Sequence, residues 1–193
     1  MTETKKRLPN ILTMFRVVLA IACTYFAIQG DQQSLTISLI LFLIAGFTDF
    51  LDGYLARKWK TESNFGRITD PIADKLLILG VFFSFSMHDV VPLLFTLIIS
   101  FREILLTVIR LVLAPKKVVI ESAPSGKFKM FFQGGALITI YLMMIFNKPL
   151  KETFSVKTFE WTIYGLLLCV VAITLYSGFE FFIKNKRAIK KLI

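Results

Sequence analysis

Residues 166–175 read LLLCVVAITL, a run with no charge and without the polar–apolar alternation of a half-buried strand. In lipid the backbone has no hydrogen-bonding partner but itself, which favours a helix for such a run. The run lies inside a longer apolar stretch, 159–183, and roughly 20 such residues are enough to cross about 30 Å of hydrocarbon. This stretch therefore predicts a membrane-spanning helix.

Five more apolar stretches precede this one, so the sequence predicts an all-α integral membrane protein with six transmembrane helices. The predicted spans are 11–30, 34–56, 70–87, 91–113, 127–146 and 159–183. The composition agrees, because 55% of the 193 residues are hydrophobic, 19% are charged and the mean hydropathy is +0.69. A soluble domain carries about 25% charged residues. No repeat or linker divides the chain, which predicts a single membrane domain over 1–193.

The positive charges are distributed unevenly between the loops of these six spans. Sixteen Lys and Arg residues fall in the termini, in the loops on their side and at the start of the fifth span, against three on the opposite side, Lys148, Lys151 and Lys157. Positive loops stay in the cytoplasm, so both termini are expected there. The net charge of +10 thus follows from membrane topology and does not indicate a nucleic-acid partner.

Four aspartates occupy the end of the second span and the start of the third. Asp49 and Asp52 are three residues apart and Asp70 and Asp74 are four apart, so each pair shares one face of a helix. Converging carboxylates in a membrane are costly, and a divalent cation removes their repulsion. All-oxygen ligands suit Mg²⁺ or Mn²⁺, and four carboxylates suit two ions that clamp a phosphoryl group.

Small residues and an arginine accompany the aspartates. Gly53 and Ala56 lie on the same helical stripe, and Gly66 precedes the second pair, so a bulky group can approach the backbone closely. Arg57 offers a planar fork for a phosphate. Together these residues predict a site for a metal-bound diphosphate.

The pattern D-x2-D-G-x2-A-R-x8-G-x3-D-x3-D, complete between residues 49 and 74, resembles the signature of the CDP-alcohol phosphotransferase family. Within that family, three segments resemble the branch that uses glycerol 3-phosphate as acceptor: LPNILTMFR at 8–16, REI at 102–104 with Arg110, and GKFK at 126–129 with Gln133. Met130 stands where that branch usually has threonine.

The resemblance implies that a hydroxyl of sn-glycerol 3-phosphate attacks the diphosphate of CDP-diacylglycerol and releases CMP. It implies Asp49, Asp52, Asp70 and Asp74 as ligands of two Mg²⁺ or Mn²⁺ ions, with Asp74 also as the general base. The residues expected to hold the nucleotide and its diphosphate are Asn10, Thr13, Gly53, Ala56, Arg57 and Gly66. Asn10 and Thr13 have an alternative role as caps of the first helix.

The phosphate of the acceptor needs cations of its own. Arg110 and Lys127 are the first candidates, and Lys129 and Arg102 are the second. Adjacent helix positions do not face each other, so Arg102 is not required to pair with Glu103. The resemblance also implies a homodimer, located in the cell membrane with its active site facing the cytoplasm.

Two other functions remain open at this stage. The same chemistry could serve another acceptor, such as inositol phosphate, serine or phosphatidylglycerol. An ion channel or transporter is the alternative from another class, but it predicts polar residues spread over several spans.

Arg16, inside the first span, either reaches back to the interface or contacts the nucleotide phosphate.

Overall fold

The computed structural model describes residues 3–59, 64–113, 124–146 and 156–189, and every regular element within these ranges is a helix. Six long helices are followed by a short one. They are α1 (Glu3–Gln29), α2 (Gln32–Trp59), α3 (Asn64–Met87), α4 (Leu93–Leu113), α5 (Pro124–Ile145), α6 (Val156–Lys184) and α7 (Lys186–Ile189). Each predicted span overlaps one long helix, so the predicted all-α fold is confirmed.

Four of the helices are long and apolar enough to cross a bilayer by length and composition, through the segments Leu12–Gln29, Gln32–Leu51, Phe128–Ile145 and Lys157–Lys184. The remaining two, α3 and α4, each carry three charged residues within their predicted spans. Large apolar side chains also face outwards: Phe47, Phe101, Phe131, Trp161 and Phe179 are between 62% and 78% exposed. Exposed apolar surface on this scale needs lipid to cover it. The chain is a multi-pass membrane protein.

The helices form two compact units, Met1–His88 and Asp89–Ile193. In the first unit α1 packs against both α2 and α3. Small side chains allow the close approach: Ala20, Cys23 and Ala27 on α1 are fully buried. On α3, a Cβ added at Gly80 would lie 2.2 Å from Thr24 Oγ1 of α1.

Contacts along α1 give the direction of its neighbours. Thr13, in the first half of α1, contacts Asp70 in the first half of α3. Ala27, near the end of α1, contacts His88, which directly follows α3. These two helices are therefore parallel. Cys23 contacts Ser38, whereas Arg16, nearer the start of α1, contacts Asp49 farther along α2. The α1–α2 pair is antiparallel, as two consecutive membrane spans are expected to be.

The turn between α1 and α2 is fixed by Gly30 and Asp31. Gly30 has a φ of +74°, which a side chain disfavours, and an added Cβ would lie 2.4 Å from the ring of His88. His88 Nε2 lies 3.0 Å from the carbonyl oxygen of Ile28 at the end of α1. Asp31 Oδ2 accepts a hydrogen bond of 3.0 Å from the Ser34 amide, and this bond lowers the pKa of the exposed Asp31 carboxyl.

In the second unit α6 packs against both α4 and α5. Its core includes Leu137, Ile140 and Tyr141 of α5 and Leu167 of α6, all fully buried. Both units thus have one helix that contacts the two others, α1 in the first and α6 in the second. The charged side chains described below lie on the contacts of α1 in the first unit, and in the second unit they join α4 to α5 and to α6.

Candidate active site

Three of the four predicted aspartates surround the first half of α1. Thr13 Oγ1 donates a hydrogen bond of 2.6 Å to Asp70 Oδ1 on α3. Arg16 Nη1 lies 2.7 Å from Asp49 Oδ1 on α2 and 3.4 Å from Asp74 Oδ1 on α3. The structure therefore brings Asp49, Asp70 and Asp74 together around two side chains of one helix.

Helical spacing explains this arrangement. Thr13 and Arg16 are three residues apart on α1, and Asp70 and Asp74 are four apart on the parallel helix α3, so the two pairs meet in register. Thr13 and Arg16 are buried, whereas the side chain of Asp49 is 41% exposed and that of Asp74 is 24% exposed. The cluster is thus closed on the side of α1 and accessible on the side of the carboxylates.

Several predicted site residues have side chains outside the part of the chain that the structure describes. These are Asn10, Asp52, Gly53, Ala56, Arg57, Gly66 and Lys127. Their backbone is helical, because each of them lies within the bounds of α1, α2, α3 or α5. The alternative role of Asn10 and Thr13 as helix caps is wrong, since α1 begins at Glu3 and both residues lie within it.

A second charged cluster lies in the other unit, on α4, α5 and α6. Glu103 Oε1 accepts hydrogen bonds from Lys129 Nζ and, at 2.9 Å, from Arg102 Nη1. Arg102 Nη2 also donates to Ser177 Oγ on α6. The side chains of Glu103 and Lys129 are 2% and 3% exposed, so this ion pair is buried. Two of the predicted acceptor-binding cations, Arg102 and Lys129, are therefore held by one carboxylate.

The pairing of Arg102 with Glu103 departs from the sequence interpretation, which did not require neighbouring helix positions to interact. The arginine side chain is long enough to curve back to the carboxylate beside it. Burial favours the pairing, because an unpaired buried charge is costly. Sequence analysis also missed the roles of Glu103 and Arg16 as partners of opposite charge. The available signal was the occurrence of charged residues inside otherwise apolar spans.

Arg110, the first candidate for the acceptor phosphate, differs from these buried cations. It is exposed near the end of α4, and its Cζ lies 5.3 Å from the centroid of the Phe181 ring on α6. This cation–π contact fixes the position of the guanidinium without using its hydrogen-bond donors. Arg110 therefore stays a candidate for binding an anion.

The acidic cluster has the donor chemistry of a site for a hard divalent cation, because carboxylate oxygens are the ligands that Mg²⁺ and Mn²⁺ prefer. Asp49 and Asp74 are close neighbours, since both lie within 3.4 Å of one nitrogen atom. Among the described side chains, however, no three acidic, histidine or cysteine groups converge closely enough to hold an ion. Asp52 is not among them, and the guanidinium of Arg16 interacts with two of the three described carboxylates.

Comparison with known proteins identifies the scaffold on which this cluster is built. The family model of the CDP-alcohol phosphatidyltransferases matches residues 6–180. The chain belongs to this family. It is therefore a transferase of phospholipid biosynthesis, and the family is generally metal-dependent. The matched region includes both charged clusters.

Individual relatives carry names that state either an acceptor or a product. The CDP-diacylglycerol–glycerol-3-phosphate 3-phosphatidyltransferase of Mycoplasma pneumoniae is 34% identical over 183 residues, which cover 84% of this chain and 79% of that protein. The Bacillus subtilis protein of the same name is 31% identical and covers 95% of this chain and 97% of its own length. A Drosophila melanogaster protein named as a probable CMP-forming cardiolipin synthase is 40% identical over 100 residues, 51% of this chain and 30% of that protein.

Proposed function

We propose that this protein transfers the phosphatidyl group of CDP-diacylglycerol to sn-glycerol 3-phosphate, with phosphatidylglycerophosphate and CMP as products. The observation that carries the proposal is the complete eight-residue family motif, three of whose aspartates meet around Arg16 and Thr13. The names of the relatives that cover nearly the whole chain support glycerol 3-phosphate as the acceptor. The family match over residues 6–180 supports a single membrane domain over 1–193.

In this proposal Asp49, Asp52, Asp70 and Asp74 hold two Mg²⁺ or Mn²⁺ ions. Bound there, the ions would neutralise the diphosphate and stabilise the departing CMP, the usual means of accelerating phosphoryl transfer. Asn10, Thr13, Gly53, Ala56, Arg57 and Gly66 bind the nucleotide and its diphosphate. Thr13 then orients Asp70 as well, through its 2.6 Å hydrogen bond.

Asp74 accepts the proton of the attacking hydroxyl. The new bond joins the hydroxyl oxygen of glycerol 3-phosphate to the phosphorus that carries the diacylglycerol, and the bond to the bridging oxygen breaks to release CMP. Asp74 suits this role because its side chain is 24% exposed and its Oδ1 is already oriented by Arg16.

The acceptor phosphate is bound by Arg110 and Lys127. Arg110 is the stronger candidate, because it is exposed and stacked on Phe181. Lys129 and Arg102 come second, since both already pair with Glu103. They contribute mainly by shaping the positive potential of the region.

The active site faces the cytoplasm, both termini lie on that side, and the protein works as a homodimer in the cell membrane. The sixteen-to-three distribution of loop charges supports this orientation. A site at the cytoplasmic ends of α2 and α3 gives a water-soluble acceptor access while the lipid donor stays in the bilayer.

The proposal is tested by incubating the purified protein with CDP-diacylglycerol, Mg²⁺ or Mn²⁺, and one acceptor at a time. CMP release is expected with glycerol 3-phosphate and not with inositol phosphate, serine or phosphatidylglycerol. Release with phosphatidylglycerol alone would overturn the assigned acceptor. Release with inositol phosphate alone would likewise overturn the assigned acceptor.

A further inference from the structure

Arg16 is the buried cation of the acidic cluster. It lies on α1, its side chain is 1% exposed, and Nη1 contacts a carboxylate on each of the two neighbouring helices. An arginine within a predicted membrane span is costly unless it is paired, so these contacts account for its presence. They also connect all three helices of the first unit through a single nitrogen atom.

Arg16 supplies a charge that the cluster needs. Asp49 on α2 lies close to Asp70 and Asp74 on α3, and without a nearby cation the repulsion between these carboxylates would push α2 and α3 away from each other. Lys75, next to Asp74 on α3, is half-buried, and its charge acts on the Asp74 carboxylate more weakly than that of Arg16. Among the cations whose side chains the structure describes, Arg16 is therefore the one whose loss would most disturb these carboxylates.

We infer that Arg16 is a built-in counter-ion of the acidic cluster, which stabilises the metal-free protein and weakens its binding of divalent metal. The inference rests on the proposed function, in which Asp49 and Asp74 are metal ligands. The same two carboxylates serve the guanidinium and the metal, so the two cations compete for them.

The direction of the effect separates this role from simple positioning. If Arg16 only oriented Asp49 and Asp74, its removal would loosen the ligands and weaken metal binding. A counter-ion acts in the opposite direction, because the guanidinium repels a divalent cation nearby and occupies oxygen atoms that the metal could use. Removing Arg16 should therefore tighten metal binding while it destabilises the metal-free state.

The experiment compares wild type, R16Q and R16K in detergent, with Mn²⁺ as the only added ligand. For R16Q we expect the metal-free Tm to fall by about 5 °C. We also expect Mn²⁺ to bind about tenfold more tightly, measured by calorimetric titration, because a repelling charge is gone. R16K keeps the charge and should stay near wild type in both measurements. Weaker Mn²⁺ binding by R16Q, or an unchanged metal-free Tm, would overturn the inference.

A matched control lies on the same pair of helices. Ser38 Oγ of α2 donates a hydrogen bond of 2.7 Å to the Cys23 carbonyl of α1, away from the carboxylates. S38A should lower the Tm by the same amount with and without Mn²⁺ and leave the Mn²⁺ affinity unchanged. An S38A protein with tighter Mn²⁺ binding would mean that loosening α1 from α2 is enough to produce the effect.

A second variant covers the case in which R16Q does not fold without metal. D49N removes one of the carboxylates that Arg16 balances, so the double variant R16Q/D49N should be more stable without metal than R16Q alone. A double variant that is as unstable as R16Q, or more so, contradicts the charge-balance argument. Failure of the proposed function has a different signature. Wild type and R16Q would still differ in Mn²⁺ binding as expected, but the wild-type protein would release no CMP with glycerol 3-phosphate.

Discussion

The two charged clusters of this protein are built with opposite signs. Around α1, the carboxylates of Asp49 and Asp74 share the guanidinium of Arg16. On α4 and α5, the cations of Arg102 and Lys129 share the carboxylate of Glu103. In each case a single side chain of the minority charge contacts two of the majority charge. Each arrangement leaves an excess of one charge, which a ligand of the opposite charge could neutralise.

Exposure separates the two clusters. The side chains of Asp49 and Asp74 are 41% and 24% exposed, whereas Glu103 and Lys129 are 2% and 3% exposed. A partly exposed carboxylate can exchange its partner for a ligand at little cost, but a buried ion pair is expensive to break. The acidic cluster is therefore suited to bind ligands, and the Glu103 cluster mainly holds α4 and α5 in place.

The largest effect is expected at the exposed acidic cluster. Replacing Asp74 with asparagine removes the proposed base and should lower the rate of CMP release by about 10³-fold. D31N is the matched control. Asp31 caps the start of α2, 18 residues before Asp49, and asparagine can also act as a cap. Equal activity of D74N and wild type would remove Asp74 from the chemistry.

At the buried cluster the main effect should be on stability. E103Q leaves Arg102 and Lys129 without their carboxylate and should lower the free energy of unfolding by about 3 kcal/mol. Measured by denaturant titration in detergent, this loss should exceed that of D49N, whose carboxylate is partly exposed. A larger loss for D49N would reverse the assignment of binding and structural roles to the two clusters.

The helix packing of the two units can be compared at two glycines, Gly80 of the first unit and Gly178 of the second. A Cβ at Gly80 would lie 2.2 Å from Thr24 Oγ1, so G80A should cost about 2 kcal/mol of stability by forcing α1 and α3 apart. A Cβ at Gly178 would lie 3.4 Å from the Arg102 side chain, and G178A should stay within about 1 kcal/mol of wild type. Equal Tm values for the two variants would mean that the α1–α3 contact tolerates an extra methyl group.

The smallest effect concerns the acceptor. R110A should raise the KM for glycerol 3-phosphate about tenfold, equivalent to about 1.4 kcal/mol, and leave the KM for CDP-diacylglycerol unchanged. K127A is expected to act in the same direction. If either variant instead loses affinity for CDP-diacylglycerol while the acceptor KM stays constant, that residue belongs to the nucleotide site.

Sequence patterns anticipated the fold class closely, because apolar runs of about 20 residues have one solution in lipid. Each of the six predicted spans corresponds to a long helix. The aspartate motif likewise identified the family through its spacing. The pairing of Arg102 with Glu103 was not anticipated, because helical periodicity describes where side chains start and not how far a long one bends.

The sequence alone determined that the chain is helical, that it lies in a membrane, and which acidic residues form its motif, since these follow from local periodicity and composition. Only the tertiary structure revealed that α1 lies against both α2 and α3, and that its Thr13 and Arg16 hold the aspartates of those helices. Contacts between helices depend on packing and on the balance of buried charge. The spacing of residues within any one helix does not encode them.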